Sequence, residues 1–434
     1  MFPKLFRALL VLFLALSFSA KGHSTSIVLD VNDIAEDKYK YRVIFPFGFY
    51  TDDFGLAGGL GGGTSGYFQK QLGLYGAFMV STNGSFGFYF LEEDFQPPFG
   101  NRLFINAEGY ITRYAKYKEY IGKERVLIKN GAGTNDSDKD DYLQGKGWDN
   151  QIEPTFTYVL PIGVGKEKPV NTYILDNGLL IEGATCTGTW NPFKSGRTYL
   201  NLTPFVHWQG FSHSKHPMAA FNSNGAALEI KYDNTDFYTN PSRGSSQRFQ
   251  IRRDFGMFDS NNPWTSLELE CSKYFSLGET SWFRQQVIAL NFLTAYSPTM
   301  EYQEQDGLLV AKNAPPDYYG ANLGGLFHLR GFDDRRFHDK ASIYYSIEYR
   351  MIPRWQPLPE INLLRPFEID WWEFVLFAEA GRVAPEWDFS TLNSRLKIDG
   401  GISARVMSFR SIGRLDFAFS EEGFFIRAFI GHPF

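Results

Sequence analysis

The chain has 434 residues, a formal net charge of -5 at pH 7, 17% aromatic and 21% charged residues, and a mean hydropathy of -0.28. With no basic run, this balance excludes a nucleic-acid partner, and the low hydropathy excludes helical membrane spans as the organising feature. Phe (42), Tyr (24) and Gly (42) are abundant, which favours strands and turns over helices.

At the N-terminus, Lys4 and Arg7 precede an apolar run over residues 8–18, "ALLVLFLALSF", and then small residues. A helix needs about 20 apolar residues to span a bilayer, so this run is too short. A basic start, a short apolar core and small residues predict a secretory signal over 1–22. Residues 23–40 are then a short periplasmic leader, since a domain folding without disulfides or metal needs at least about 40 residues. Export makes a disulfide between Cys186 and Cys271 chemically accessible, but two cysteines alone do not establish pairing.

From Tyr41 onward the pattern has period two, and sixteen strands are predicted to begin near residues 41, 56, 72, 85, 103, 150, 197, 226, 246, 265, 286, 341, 372, 395, 413 and 424. The glycine-rich run at 55–66, "GLAGGLGGGTSG", reads as a curved or closely packed strand, because it lacks the Lys-Ser/Thr of a phosphate loop and no helical pattern follows. The links "TNG" and "SEEG" read as tight turns, and two links, 118–149 and 301–340, are long. Residues 168–196 fit the pattern least and are a long turn or an extra hairpin. His213 and His216 sit three apart in a link, where a hydrated polar tip outweighs metal binding. No hydrolase, zinc-protease or P-loop pattern occurs, so no enzyme, metal or cofactor is expected.

Parity assigns faces. In "ASIYYSIEYRMI" the odd positions Ile343 to Met351 are apolar, while Ser342, Tyr344, Ser346, Glu348 and Arg350 share the other face. In "EFVLFAEAG" Leu376 and Ala378 lie on one face, and Val375, Phe377 and Glu379 on the other. A soluble sheet alternates in the same way. The strands, however, run longer than the usual ~5–6 residues and match a tilted bilayer span. Aromatics suit interfacial girdles, and the chain ends in an alternating strand with a terminal Phe434. A closed antiparallel transmembrane β-barrel of about sixteen strands over 41–434 follows, because lipid cannot satisfy an open sheet edge. Pro46 and Gly48 in its first strand, and Gly431 and Pro433 in its last, predict a weak seam where the cylinder closes; the alternative is that the prolines lie beyond the paired ends.

The segment 323–337, "LGGLFHLRGFDDRRF", carries Leu329-Arg330-Gly331-Phe332. With "SIEYRMIP", "FAEAGRV", "IDGGISARV" and "GRLDFAFS" in the same order, it resembles the bacterial surface-antigen superfamily. These are the BamA/TamA-type outer-membrane assembly factors and the two-partner secretion translocators. The resemblance implies a Gram-negative outer-membrane barrel whose sixth extracellular loop folds into the lumen, with Arg330 meeting Glu348 and Glu379 on the inner wall. It implies Phe332 as an apolar anchor against groups such as Phe377, Gly331 as the point of close approach or of an unusual backbone angle, and Phe434 as a C-terminal assembly signal. Periplasmic POTRA domains, usual in the family, have no room in this chain. The implied role is protein insertion, translocation or membrane biogenesis. The implied partners are outer-membrane lipid (lipopolysaccharide and phospholipid), the host barrel-assembly machinery and a secreted or membrane-protein client. A passive channel or structural surface protein on the same fold is the alternative.

Overall fold

The computed structural model describes residues 25–35, 40–51, 54–120, 131–213, 216–305, 308–316 and 318–434, so the signal expected over 1–22 lies outside the described residues. In chain order, β1 (Ser26–Asp30) and a short helix (Val31–Ala35) come first and stand outside the main sheet. The main sheet begins with β2 (Tyr41–Thr51), β3 (Gly55–Ser65), β4 (Gly73–Ser81), β5 (Phe86–Phe95), β6 (Leu103–Glu119) and β7 (Leu143–Val159). A separate hairpin, β8 (Asn171–Asp176) and β9 (Leu179–Glu182), follows. The sheet resumes with β10 (Arg197–His213), β11 (His216–Thr235), β12 (Gly244–Asp254), β13 (Trp264–Ser276) and β14 (Phe283–Tyr296). The loop 297–340 holds four short pieces, β15 (Glu301–Gln305), β16 (Leu308–Lys312), β17 (Ala321–Leu323) and β18 (Phe337–Asp339). The sheet ends with β19 (Ala341–Pro353), β20 (Ile369–Ala384), β21 (Lys397–Ser408), β22 (Ser411–Ser420) and β23 (Gly423–Ile430).

Sixteen strands thus form one antiparallel sheet in sequence order, and no described helix is long and apolar enough to cross a membrane. An even count puts the first and last strands' outer ends at the same rim. The loop 297–340 is therefore the sixth at the opposite rim. That rim also carries the other long link, 120–142, while the termini-bearing rim carries the β8–β9 hairpin.

The sheet inverts the arrangement of a soluble protein. Ile347 and Leu376 are 46% and 44% exposed, whereas the alternate positions Glu348 and Glu379 are 0% and 2% exposed. Burying a charged face is tolerable only if the sheet wraps around its own partners. Contacts between strands that are not neighbours show the wrapping: Arg252 on β12 pairs with Glu153 on β7 at 2.6 Å. Large aromatics stand exposed near both rims, Phe68, Phe99 and Trp282 at one and Phe258 and Phe389 at the other. Such girdles suit the two interfaces of a bilayer.

The first strands depart from the polar-inside rule. Phe45 and Phe47 of β2, Ala57 of β3, and Ala77 and Met79 of β4 form a buried apolar cluster. The glycines of β3 make room for it: a Cβ on Gly59 would lie 2.7 Å from the Phe47 ring, and one on Gly61 2.9 Å from the Phe45 ring. Across the sheet, β2 and β23 are its two edges, and among the described residues no ladder joins them. Pro46 lies inside β2, opposite Leu60, as does Gly48, opposite Gly58. Gly431, at φ +104°, ends β23, and Pro433 lies beyond it. The two prolines therefore divide: one sits in a paired strand, the other past its end.

Two sequence expectations are sharpened. The region 168–196 contains a hairpin rather than a featureless turn, and the leader is not bare, because β1 pairs in parallel with β8 to make a three-stranded sheet. Strand onsets agree within a few residues except at β7 and β11, which begin seven and ten residues earlier than expected. Their first segments, "LQGKGWD" and "HPMAAFNSNG", lack apolar alternation. At 17 and 20 residues these strands exceed the roughly 9–11 that a bilayer requires, so no lipid face imposes the pattern there.

Candidate functional site at the tip of the sixth loop

The loop narrows to a neck where β17 pairs with β18, Leu323 opposite Phe337. Gly324 and Gly325, at φ +110° and +111°, turn the chain, and the amide of Gly324 donates to the carbonyl of His328 at 3.0 Å. A second turn, from the Phe332 amide to the Leu329 carbonyl at 3.0 Å, presents Arg330 and Gly331 at its apex. Leu329 itself adopts φ +51°, unusual for a bulky residue, and is held there by burial among Leu323, Phe332, Phe337, Tyr344 and Val383.

Arg330 is fully buried, and two of its three guanidinium nitrogens donate hydrogen bonds while the third faces an acid. Its Nε donates to Glu379 Oε1 at 3.0 Å, its Nη2 to Glu348 Oε1 at 2.9 Å, and its Nη1 lies 3.5 Å from Asp416 Oδ2. Its backbone amide donates to the second oxygen of Glu379 at 2.7 Å. The guanidinium lies 3.6 Å from the centroid of the Phe377 ring. A planar group is needed to meet three acids on β19, β20 and β22 while stacking on an aromatic face. Next to it, the Gly331 amide donates to Asp399 Oδ2 at 2.6 Å, and the Ser420 hydroxyl donates to the Gly331 carbonyl. Arg427 of β23 donates to the carbonyls of Arg330 and Phe332.

Charge balance makes the cluster tolerable. Arg330, Arg350, Arg405 and Arg414 face Glu348, Glu373, Glu379 and Asp416. Glu348 is the hub: its Oε1 also accepts from Arg405 Nη2 at 2.7 Å, and its Oε2 from Arg350 Nε at 2.8 Å. The C-terminal tail joins the same network. His432 Nδ1 lies 2.6 Å from Arg405 Nη1, and the Phe434 ring stacks on Tyr274 beneath Arg350.

Flanking segments tie the loop to the opposite wall. Asp333 accepts from Lys118 at 2.7 Å and Tyr120 at 2.6 Å. Burial raises the pKa of this carboxyl, but those two hydrogen bonds together with the charges of Lys118 and Arg427 leave Asp333 below its ordinary value. Arg335 donates to Tyr117 of β6. Upstream, Tyr319 donates to Glu153 of β7 and lies under Arg252, while the Tyr318 ring meets the His207 ring of β10 at a tilt, 3.8 Å between centroids. From above, Gly133 accepts from the His338 amide at 2.8 Å, and Ser137 is held by Arg336 at 2.8 Å. The loop thus touches β6, β7 and β10 on one side and β19 to β23 on the other.

Arg330, Glu348 and Glu379 come together as the sequence suggests, and Gly331 serves close approach rather than an unusual dihedral. Phe332 is buried with the apolar wall residues Leu293, Tyr344 and Val383, and it meets Phe337 edge-on at 5.1 Å; the Phe377 ring is covered by Arg330 instead. Pro46 and Gly48 belong to β2 and its ladder with β3, whereas Pro433 lies between His432 and Phe434 in the tail that joins the network. Phe434 turns inward rather than continuing the last strand. Sequence reasoning missed Asp416, Arg405 and Asp399, although Asp416 and Arg414 share one parity in "RLDFAF" and were open to the same argument. It also missed Tyr318 and Tyr319, for which no periodic signal exists in a loop. Both cysteines are free, and among the described residues no group of His, Cys, Asp and Glu could hold a metal.

A first consequence concerns Gly331. A Cβ there would fall 2.7 Å from the Cβ of Asp399 and 3.1 Å from that of Ser420. Gly331→Ala is expected to cost about 1–3 kcal/mol by overpacking. The temperature at which the folded band is lost in a heat-modifiability gel should fall; an unchanged temperature would show that the tip is not seated between β21 and β22.

A long-stranded antiparallel sheet with an apolar outside, a charged inside and a loop on its inner face defines an outer-membrane β-barrel. The Omp85 superfamily domain matches residues 194–422, more than half of the chain. The protein belongs to that family and resides in the outer membrane of a Gram-negative bacterium. Among solved structures, it is similar to BamA from Haemophilus ducreyi lacking POTRA domains 1–3. The TM-score is 0.46 and the identity 15%, over 90% of this chain and 69% of that one. It is also similar to CdiB from Acinetobacter baumannii, with a TM-score of 0.46 and 12% identity, over 88% of this chain and 57% of that one. No curated protein sequence matches it.

Proposed function

We propose that the protein acts without catalysis in outer-membrane protein insertion, polypeptide translocation or membrane biogenesis. Its lumen is plugged by the sixth loop, and its weak seam opens laterally. The observation that carries the reading is the buried Arg330 held by Glu379, Glu348 and Asp416, together with the contacts of the same loop on the opposite wall. A porin needs an open channel; a loop clamped to both walls suits a passage opened only for a client. The seam reading is supported by the absent ladder between β2 and β23 among the described residues, and by Pro46, which cannot donate from an edge. Lipopolysaccharide and phospholipid surround the barrel, the host barrel-assembly machinery installs it, and a secreted or membrane protein is its client.

The test compares outer-membrane and secreted proteomes of a strain lacking the protein. That strain is complemented with wild type, or with a Phe45→Cys, Phe429→Cys variant whose oxidised seam is locked. A defined subset of proteins should disappear on deletion, return with wild type, and return with the locked variant only under reducing conditions. An unchanged proteome on deletion would overturn the transport reading. Full rescue by the oxidised variant would overturn lateral opening.

A further inference from the structure

The termini-bearing mouth carries a small sheet that the inner loop network does not explain. β1 lies parallel to β8, with Leu29 opposite Ile174, and β9 runs antiparallel on the other side of β8. This sheet meets the rim at widely separated strands. At one end, the Ser26 amide donates to Asp94 of β5 at 3.3 Å, and Arg197 of β10 donates to the Thr25 carbonyl at 2.8 Å. At the other, Trp371 of β20 donates to the Gly178 carbonyl at 3.0 Å, and Arg410, between β21 and β22, pairs with Asp33. Underneath, Tyr173 and Leu175 of β8 bury against Ile352, Trp371 and Met407 on the wall. In the strand order β5 and β10 are fourth and seventh, and β20 and β21 thirteenth and fourteenth, so the small sheet crosses the opening rather than lying along one side of it.

An isolated two-stranded hairpin is marginal in water, and a third strand makes the difference. Here the third strand comes from the leader, which is joined by one parallel ladder, the Arg197 bonds to Thr25, the Thr25 hydroxyl bond to the Pro169 carbonyl, the Ser26 amide bond to Asp94 and the Asp33–Arg410 pair. We propose that the leader is a latch: β1 completes a cap over the termini-bearing mouth of the barrel, and release of β1 opens that mouth to an incoming polypeptide. The latch rests on the reading of the barrel as a passage. It adds a second closure, separate from the sixth loop and made of different residues.

The experiment measures access to the wall beneath the cap. Met407 is fully buried there, whereas Glu182 of β9 is exposed. In a Cys186→Ser, Cys271→Ser background, the full-length folded barrel carrying Met407→Cys is treated with a membrane-impermeant maleimide, with Glu182→Cys as the exposed control. With the leader intact, Met407→Cys should label at least roughly tenfold more slowly than the control, as a locally closed site does. Adding Asp33→Arg, or deleting residues 25–35, should bring the rate near that of the control. Adding Arg410→Asp to Asp33→Arg should restore slow labelling, which a general loss of structure would not. Fast labelling with the leader intact would overturn the proposal. So would labelling that stays slow after deletion, in protein that still runs as a heat-modifiable barrel. Neither result bears on the proteome test, which involves the seam and not the cap, so the two readings fail separately.

Discussion

Arg330→Ala should destabilise the barrel by about 3–5 kcal/mol, the cost of leaving buried acids uncompensated when one partner of an ion pair is removed. Three carboxylates lose their shared cation at once, and Phe377 loses the group that covers its ring. Arg330→Lys retains the charge but cannot span Glu379 and Glu348 together or lie flat on the ring, so it should recover only part of the loss. The functional counterpart is conductance in planar bilayers. Wild type should show a small fluctuating current, and Arg330→Ala a larger one, because the tip loses its hold on β19, β20 and β22. A large steady pore in wild type would sink the plug reading. A stability loss of only about 1 kcal/mol would show instead that water reaches the acids and screens them, as at an exposed pair.

How far the sequence revealed this site follows from the physics of each part. Glu348 and Glu379 were legible because a lipid-facing sheet forces strict alternation, so one apolar residue fixes the face of its neighbours. Parity could not say which acids a loop would meet, because contacts between a loop and distant strands depend on how the cylinder curls. Tyr318 and Asp333 illustrate this: their partners, His207 and Lys118, lie 111 and 215 positions away along the chain. The cap was illegible for another reason. β1 and β9 are 5 and 4 residues long, too short for a periodic signal, and β1 gains its meaning only from a parallel partner more than a hundred residues later. The aromatic lining of β2 shows the rule at its limit: Phe45 and Phe47 face inward, where parity alone expects polar groups, and the glycines of β3 receive them.

Glu348→Gln should cost more than Glu379→Gln, although both acids pair with Arg330. Glu379 shares its cation with two other acids, so its neutralisation leaves Arg330 held by Glu348 and Asp416. Glu348 instead serves three guanidiniums, those of Arg330, Arg350 and Arg405. An amide can still accept hydrogen bonds but offsets no charge, and three buried cations then crowd a neutral group. The expected loss is about 3–5 kcal/mol, at the upper part of the range for single substitutions. Because Arg405 holds His432 and Arg350 covers Phe434, the loss should spread to the C-terminal tail. Amide hydrogen exchange over residues 423–434 should quicken in Glu348→Gln and stay near wild type in Glu379→Gln. A double-mutant cycle between Arg330 and Glu348, each changed to Ala, should give a coupling of about 0.5–3 kcal/mol. Equal costs for the two glutamines, with no difference in exchange at the tail, would show that Glu348 is one acid among several rather than the centre to which loop, wall and C-terminus are all fastened.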